Sequence, residues 1–240
     1  GLVGSEMCIR DRDRVMLTAK QAEKYMKPKN PCVVTGLPIR GDILRVDPDF
    51  AKAELQLGGK PLILSMGGSL GAKPVNDAVL GMILKKYKAN DCVFLHATGK
   101  GGDWFVEELR KAGVDPAGHP NIRVVEYIDI PKCLPAADLV ISRSGASSLS
   151  EIQALGKPSI LIPSPYVTEN HQYHNAMALV ENDAAVILEE KDLTPDSLTE
   201  KVDELLGDKS MLAKIGANAK AMAVLDATER IYETLCEIVK

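Results

Sequence analysis

Aromatic residues make up only 4% of the 240 residues, and Trp104 is the single tryptophan. A surface that stacks single-stranded bases needs several exposed rings, so that class of nucleic-acid binder is excluded. Long basic runs are missing too, and the formal net charge is −4, which excludes a protein built to grip a phosphate backbone. No nucleic-acid partner is expected. No CxxC pair occurs, and the five cysteines (Cys8, Cys32, Cys92, Cys133, Cys236) are odd in number and widely spaced. They read as free thiols of a reducing compartment, not as a disulfide or zinc framework. No stretch approaches the roughly 18–20 apolar residues of a membrane span. Runs such as Leu62-Ile63-Leu64 and Ile160-Leu161-Ile162 have the length of strands. Residues 1–12 lack the apolar centre of a signal peptide and are read as an artefact of sequencing or gene calling.

What is present is apolar content of 45%, enough for a real core. The length allows one large α/β domain, or one domain with a stub of another. Short β-branched runs at 62–66, 92–97, 123–127, 139–142, 159–162 and 185–188 alternate with helical patterns near 73–88, 103–113, 146–155 and 171–182. Strands separated by such helices predict βαβ units and a parallel sheet. The fold class is therefore α/β, a doubly wound sheet that binds ligands at the carboxyl ends of its strands. Three more helices are expected at 195–206, 209–223 and 227–239. Before residue 60 the pattern changes: a short helical pattern within 13–30, a strand at 32–35, then Gly36-Leu37-Pro38-Ile39-Arg40. Residues 13–40 read as the tail of a preceding domain and a linker, too short to be a domain.

Three motifs carry chemistry. Leu62–Met66 runs into Gly67-Gly68-Ser69-Leu70-Gly71-Ala72, a strand, a glycine turn and a helix start. Glycines let the backbone approach a ligand, and a helix N-terminus offers free N–H groups to an anion. The dinucleotide fingerprint is not met, because Ser69 and Ala72 stand where it needs glycines, and no P-loop lysine follows. The same pattern suits a tight turn with no ligand.

The second motif, Ser142-Arg143-Ser144-Gly145-Ala146-Ser147-Ser148-Leu149-Ser150-Glu151, again joins a strand to a helix. A diphosphate fits such an end, and Glu151, one turn inside, could accept both hydroxyls of a ribose. Ser148-x-x-Glu151 is equally a capping box, in which Glu151 serves only its own helix. The third motif is Pro163-Ser164-Pro165-Tyr166 followed by Asn170-His171-Gln172-Tyr173-His174-Asn175-Ala176. Its amides and imidazoles suit sugar hydroxyls. His171 and His174 invite a metal, but no third ligand has suitable spacing, so no metal site is expected. His96 and His119 are taken as structural or surface residues.

Pro38-x-Arg40, Gly67-Gly68-Ser69-Leu70-Gly71-Ala72, Arg143-Ser144-Gly145-Ala146, Glu151, Gly156-Lys157-Pro158, Asn170-His171-Gln172-x-x-Asn175-Ala176 and the closing Asp226-Ala227-Thr228-Glu229-Arg230 recur together, in order and spacing, in one family. Over about residues 30–240 the chain resembles the MurG family of glycosyltransferases. The resemblance implies a GT-B fold, two Rossmann-like domains facing a cleft, of which this chain is the C-terminal half. That half binds UDP-N-acetylglucosamine. The other binds the membrane-anchored acceptor, lipid I, and holds the base that makes lipid II formation possible in peptidoglycan synthesis.

Carried over residue by residue, Glu151 would hold the ribose diol, and Ile128 would meet the uracil edge through its backbone. Ser144, Gly145, Ala146 and Ser148 would lie at the diphosphate with Ser69 and Arg40 nearby, and His171, Gln172 and Asn175 would face the sugar. No catalytic residue and no cofactor are expected within the chain. The implied layout is a remnant and linker at 13–40, a UDP-sugar domain at 41–225, and a helix at 226–240 that packs back toward the N-terminal domain. Ile231, Leu235 and Ile238 would lie on one face of that helix. The implied location is cytoplasmic, peripheral on the inner face of the cell membrane. Two departures stand out: Leu70 replaces a usual glutamine, and Leu37 a usual asparagine. A donor-binding subunit of a split transferase, or another GT-B UDP-sugar enzyme such as a glycolipid glucosyltransferase, remains an alternative.

Overall fold

The computed structural model describes residues 13–20, 23 and 29–239. The chain divides into two compact units, Gly41–Met222 and the described part of Gly1–Arg40 with Ala223–Lys240.

In the smaller unit β1 (Val15–Leu17) runs parallel to β2 (Cys32–Val34), with Val15 opposite Cys32. This corrects the helical expectation for 13–30 at its start: Val15-Met16-Leu17 is a strand because a partner 17 residues away supplies its hydrogen bonds. No local pattern reveals such a partner. The remainder of the expected helix falls largely outside the described residues. Gly36 is held at φ +76°, and a Cβ there would meet Val224 Cγ1 at 2.7 Å, so only glycine fits this approach. The closing helix, Ala227–Val239, buries Ala227 and Thr234 and exposes Tyr232, Leu235, Ile238 and Val239.

The larger unit opens with α1 (Pro48–Glu54), started by Asp47 accepting from Phe50 N–H and by Pro48 in the first turn. It continues through β3 (Leu62–Met66), α2 (Lys73–Lys86), β4 (Val93–Ala97), α3 (Trp104–Lys111), β5 (Ile122–Val125), α4 (Ile130–Cys133), β6 (Leu139–Ser142), α5 (Ala146–Leu155), β7 (Ser159–Leu161), α6 (His171–Val180) and β8 (Val186–Ile187). Two helices, α7 (Pro195–Gly207) and α8 (Lys209–Ala221), end it.

The six strands β3–β8 form one parallel sheet in the order β5-β4-β3-β6-β7-β8. Counted from β3, this is the doubly wound Rossmann order, and the direction of winding reverses between β3 and β6. The fold class read from the sequence is the fold observed. The strands alternate their side chains between two cores. On one face Ile63, Phe94, Ile122 and Ile160 pack with Val79 and Met82 of α2, Phe105 of α3 and Val202 of α7. On the other, Leu62, Leu64, Val93, Leu95 and Val140 pack with Ala51 and Ile152. Every residue of β3, β4 and β6 is buried, as expected of parallel strands covered on both faces.

The sequence places β3, β6, α5 and the closing helix at their observed limits and misses the ends of the other expected elements by one or a few residues. It misses α1 and α4 altogether, which are 7 and 4 residues long, too short to show a period. Helix α5 stops at Gly156, whose left-handed φ of 62° closes the end.

Candidate functional site

At the carboxyl end of β3 the chain turns through Gly67–Ala72 into α2. Gly68 (φ +90°) and Gly71 (φ +75°) occupy backbone open to glycine. A Cβ on Gly71 would stand 2.2 Å from the Thr98 carbonyl oxygen, and one on Gly99 would stand 2.1 Å from Gly71 N. The glycine turn is thus pressed backbone to backbone against the loop after β4. Hydrogen bonds fix the pair: Lys100 N–H donates to Ser69 O at 3.1 Å, and the Asn76 amide donates to Thr98 O at 2.9 Å. Asn76 is buried, as is His96 beneath, whose Nδ1 meets Ser65 Oγ at 2.8 Å. Burial pushes the His96 imidazole down to about 3, so it is neutral and cannot serve as a base near neutral pH. It is a structural histidine. Leu70 projects outward, 79% exposed.

One strand over, β6 leads through Arg143-Ser144-Gly145 into α5. Gly145 is the N-cap and contributes no side chain, and no side-chain cap hydrogen bond is made. This overturns the capping-box alternative for Ser148 and Glu151. A box needs its serine at the cap, whereas Ser148 already lies in the first turn. The same holds at each helix that follows β3 to β7: α2, α3, α4, α5 and α6 all begin without a side-chain cap. By contrast α1, α7 and α8 are capped by Asp47, Thr194 and Asp208. Uncapped starts leave first-turn N–H groups for solvent or ligand.

Arg143 braces this loop. Its guanidinium donates to Ile162 O at 3.1 Å and pairs with Glu190, both side chains being nearly buried. The carboxyl ends of β6, β7 and β8 are tied together in this way. Ser144 is fully buried, and its carbonyl accepts from the Asn175 amide at 3.1 Å, which draws the first turns of α6 to the start of α5. Gln172 Oε1 accepts from Ser164 N–H at 3.0 Å, and His171 Nδ1 meets Thr168 O at 2.9 Å. Between them Glu169 and Asn170 hold φ near +50°, a strained approach to α6.

The expected residues therefore fall into groups. Ser144, Gly145, Ala146, Ser148 and Glu151 share one loop and helix, with Asn175 bonded to it. Ser69 lies on the neighbouring loop, since Met66 and Ser142 pair at the ends of β3 and β6. Gln172 and His171 lie on α6 beyond β7. Ile128 follows β5, separated from β3 by β4, and its side chain packs into the core, which leaves its backbone as the part able to meet a base. Arg40 belongs to the smaller unit. Thr98, Gly99, Asn76 and Glu190, which shape the site, are missing from the expectation. Gly99 had a readable signal, a glycine just past a strand end, as Gly67 is. Among the described residues no group of three or more His, Cys, Asp or Glu could hold a metal ion.

Residues 62–231 match the family model described as the glycosyltransferase family 28 C-terminal domain. The chain is 44% identical over 95% of its length to the UDP-N-acetylglucosamine–N-acetylmuramyl-(pentapeptide) pyrophosphoryl-undecaprenol N-acetylglucosamine transferase of Acetivibrio thermocellus, of which it covers 61%. It is 39% identical to the enzyme of the same name from Halalkalibacterium halodurans, over 95% of this chain and 62% of that one. Among solved structures it superposes on Acinetobacter baumannii MurG with a TM-score of 0.73 at 25% identity, covering 99% of this chain and 63% of that chain. The chain spans about three fifths of the length of the curated relatives it matches.

Proposed function

The chain belongs to the glycosyltransferase family 28 C-terminal domain family, and from that membership we propose that it is the donor-binding part of an enzyme that transfers N-acetylglucosamine from UDP-N-acetylglucosamine to lipid I, giving lipid II. One observation supports this above the others. The glycine turn after β3 and the uncapped start of α5 stand side by side where the sheet reverses its winding, the crevice in which such sheets bind nucleotides.

In this reading the first-turn N–H groups of α5, at Ala146 to Ser148, receive the diphosphate, with Ser69 across the crevice. Glu151 accepts the ribose hydroxyls, and the Ile128 backbone meets the uracil edge. Gln172, whose Oε1 is engaged by Ser164, keeps its NH₂ for the sugar, beside His171 and Asn175. The reaction is an inverting displacement. The acceptor hydroxyl attacks the anomeric carbon, the bond to the diphosphate oxygen breaks, and charge accumulates on the departing UDP. Fixed N–H dipoles are most useful there, because they need no reorganisation as that charge develops. The base that takes the hydroxyl proton, and the acceptor site, fall to the part of the relatives' length that this chain does not span. The enzyme would work at the inner face of the cell membrane. Among the described residues no helix is long and apolar enough to cross a membrane.

Calorimetric titration with UDP-N-acetylglucosamine, UDP-glucose, GDP-mannose and ADP-glucose tests the proposal. Selective binding of the first is expected. Equal binding of all four, or binding of none, contradicts it, and a preference for UDP-glucose transfers the assignment to a glycolipid glucosyltransferase.

A further inference from the structure

The opposite end of the sheet holds a cavity of about 780 Å³. Its walls come from the residues that enter β3, β6 and β7 (Pro61, Asp138 and Pro158) and from the start of α8. It lies at the amino ends of the strands, so no side chain assigned to the donor contributes to it.

The charge lining it is one-sided. Lys52, Lys60, Lys157 and Lys209 face a single carboxylate, Asp138. That carboxylate is already engaged, bonded to Lys52 through one oxygen at 2.5 Å and accepting from Leu62 N–H through the other at 2.8 Å. Lys60 donates to the neutral amide oxygen of Asn90 at 2.7 Å. Lys157 is nine-tenths buried and donates to the carbonyls of Pro135 and Ala137. Among the described residues, none of Lys60, Lys157 and Lys209 forms a salt bridge.

A chain of net charge −4 thus gathers on one concavity two ammonium groups with no carboxylate partner, Lys60 and Lys209, and a third, Lys157, whose charge Asp138 offsets only in part. Lys157 is the buried amine of the three, whereas Lys60 is half-buried and Lys209 exposed at the rim. Burying an amine is costly, and an anion that adds counter-charge recovers part of that cost. The Gly58-Gly59 turn on the rim has left-handed φ at both residues and no atom within 4 Å of either added Cβ, so its backbone is open to a ligand.

We propose that this amino-end cavity is a binding site for a multiply charged phosphate, free or as a small phosphate ester, separate from the donor site. The volume admits a diphosphate with a modest organic group, and the two unpaired amines of Lys60 and Lys209, with Lys157 behind them, match an anion of charge two or more. The proposal stands apart from the donor assignment.

Inorganic pyrophosphate is the probe. Calorimetric titration of the full chain at low ionic strength, with UDP present throughout to occupy the donor end, is compared between wild type and a Lys60→Gln, Lys209→Gln double variant. Wild type is expected to bind pyrophosphate in the presence of UDP. The double variant is expected to bind it at least ten-fold more weakly, while its affinity for UDP is unchanged. Absence of pyrophosphate binding to wild type under these conditions, or equal affinity in the two proteins, overturns the proposal. Acylation of lysines in wild type gives the same answer without substitution. Pyrophosphate should protect Lys60 and Lys209, and unaltered labelling of both counts against the site. Glucose 6-phosphate in place of pyrophosphate separates a site for esters from one for the free anion. Failure of UDP to bind would sink the donor reading alone.

Discussion

The Asn175 side-chain amide donates to the Ser144 carbonyl oxygen across 3.1 Å, joining two motifs that lie 31 residues apart in sequence. This bond sets where α6 presents its polar turn relative to the start of α5. It also gives Asn175 a structural duty beside its proposed contact with the sugar. Asn175→Ala is expected to lower the unfolding free energy by about 1 kcal/mol, the usual worth of one such bond. UDP should bind several-fold more weakly, because the Ser144 loop loses its tether. Loss of affinity for UDP-N-acetylglucosamine with no change for UDP would show that Asn175 touches the sugar and braces nothing.

Glu151 can be probed through the ribose it is proposed to hold. A carboxylate accepting two hydroxyls contributes roughly 1.5–3 kcal/mol, or about ten- to a hundred-fold in affinity. Wild type should therefore prefer UDP to 2′-deoxy-UDP, and Glu151→Ala should bind the two equally, both weakly. A variant that keeps the wild-type preference would remove Glu151 from the site.

The contact between Gly71 and the Thr98 carbonyl leaves no room for a methyl group. Gly71→Ala combines an unfavourable φ of +75° with a backbone collision at 2.2 Å. A loss of about 2 kcal/mol or more is expected. Gly58→Ala, also at positive φ but with nothing within 4 Å, should lose only about 1 kcal/mol. Urea denaturation of both compares steric with conformational cost, and equal losses would refute the collision.

His96 makes stability depend on acid. Its folded pKa, held by burial at about 3, lies below the ordinary value of 6.5. The unfolded chain therefore takes up a proton that the folded chain refuses. Stability is full above pH 6.5 and is lost as pH falls toward 3, at most roughly 4–5 kcal/mol from this residue. Thermal unfolding of wild type and His96→Gln between pH 7 and 4 checks this. The difference in stability between the two proteins should shift in favour of the variant on acidification. A constant difference would mean that His96 titrates alike in both states.

Much of this architecture was legible from local pattern alone. The apolar runs of β3 and β6 are bounded by glycine and polar turns, and α5 spans the length between Gly145 and Gly156, so each could be read directly. Val15–Leu17 could not, because it is a strand only by virtue of Cys32–Val34. The site was legible as three motifs, each ambiguous by itself. Ser148 and Glu151 fit a capping box in sequence, and only the observed cap at Gly145 removes that choice. Asn76 and Thr98 escaped notice because their roles arise from packing between the loops after β3 and β4, which spacing does not encode. The Arg143–Glu190 pair escaped for the same reason, its members lying 47 residues apart.

Amide chemical-shift mapping of the ¹⁵N-labelled chain during a UDP titration tests the central claim most directly. The amides of Ser69, Ile128 and Ala146 to Ser148 should move together and saturate at one affinity, while those of Gly59, Lys60 and Lys209 stay in place. Saturable shifts confined to the amino-end residues, or scattered over both ends with none at the start of α5, would contradict the claim that the reversal point of the sheet holds the nucleotide.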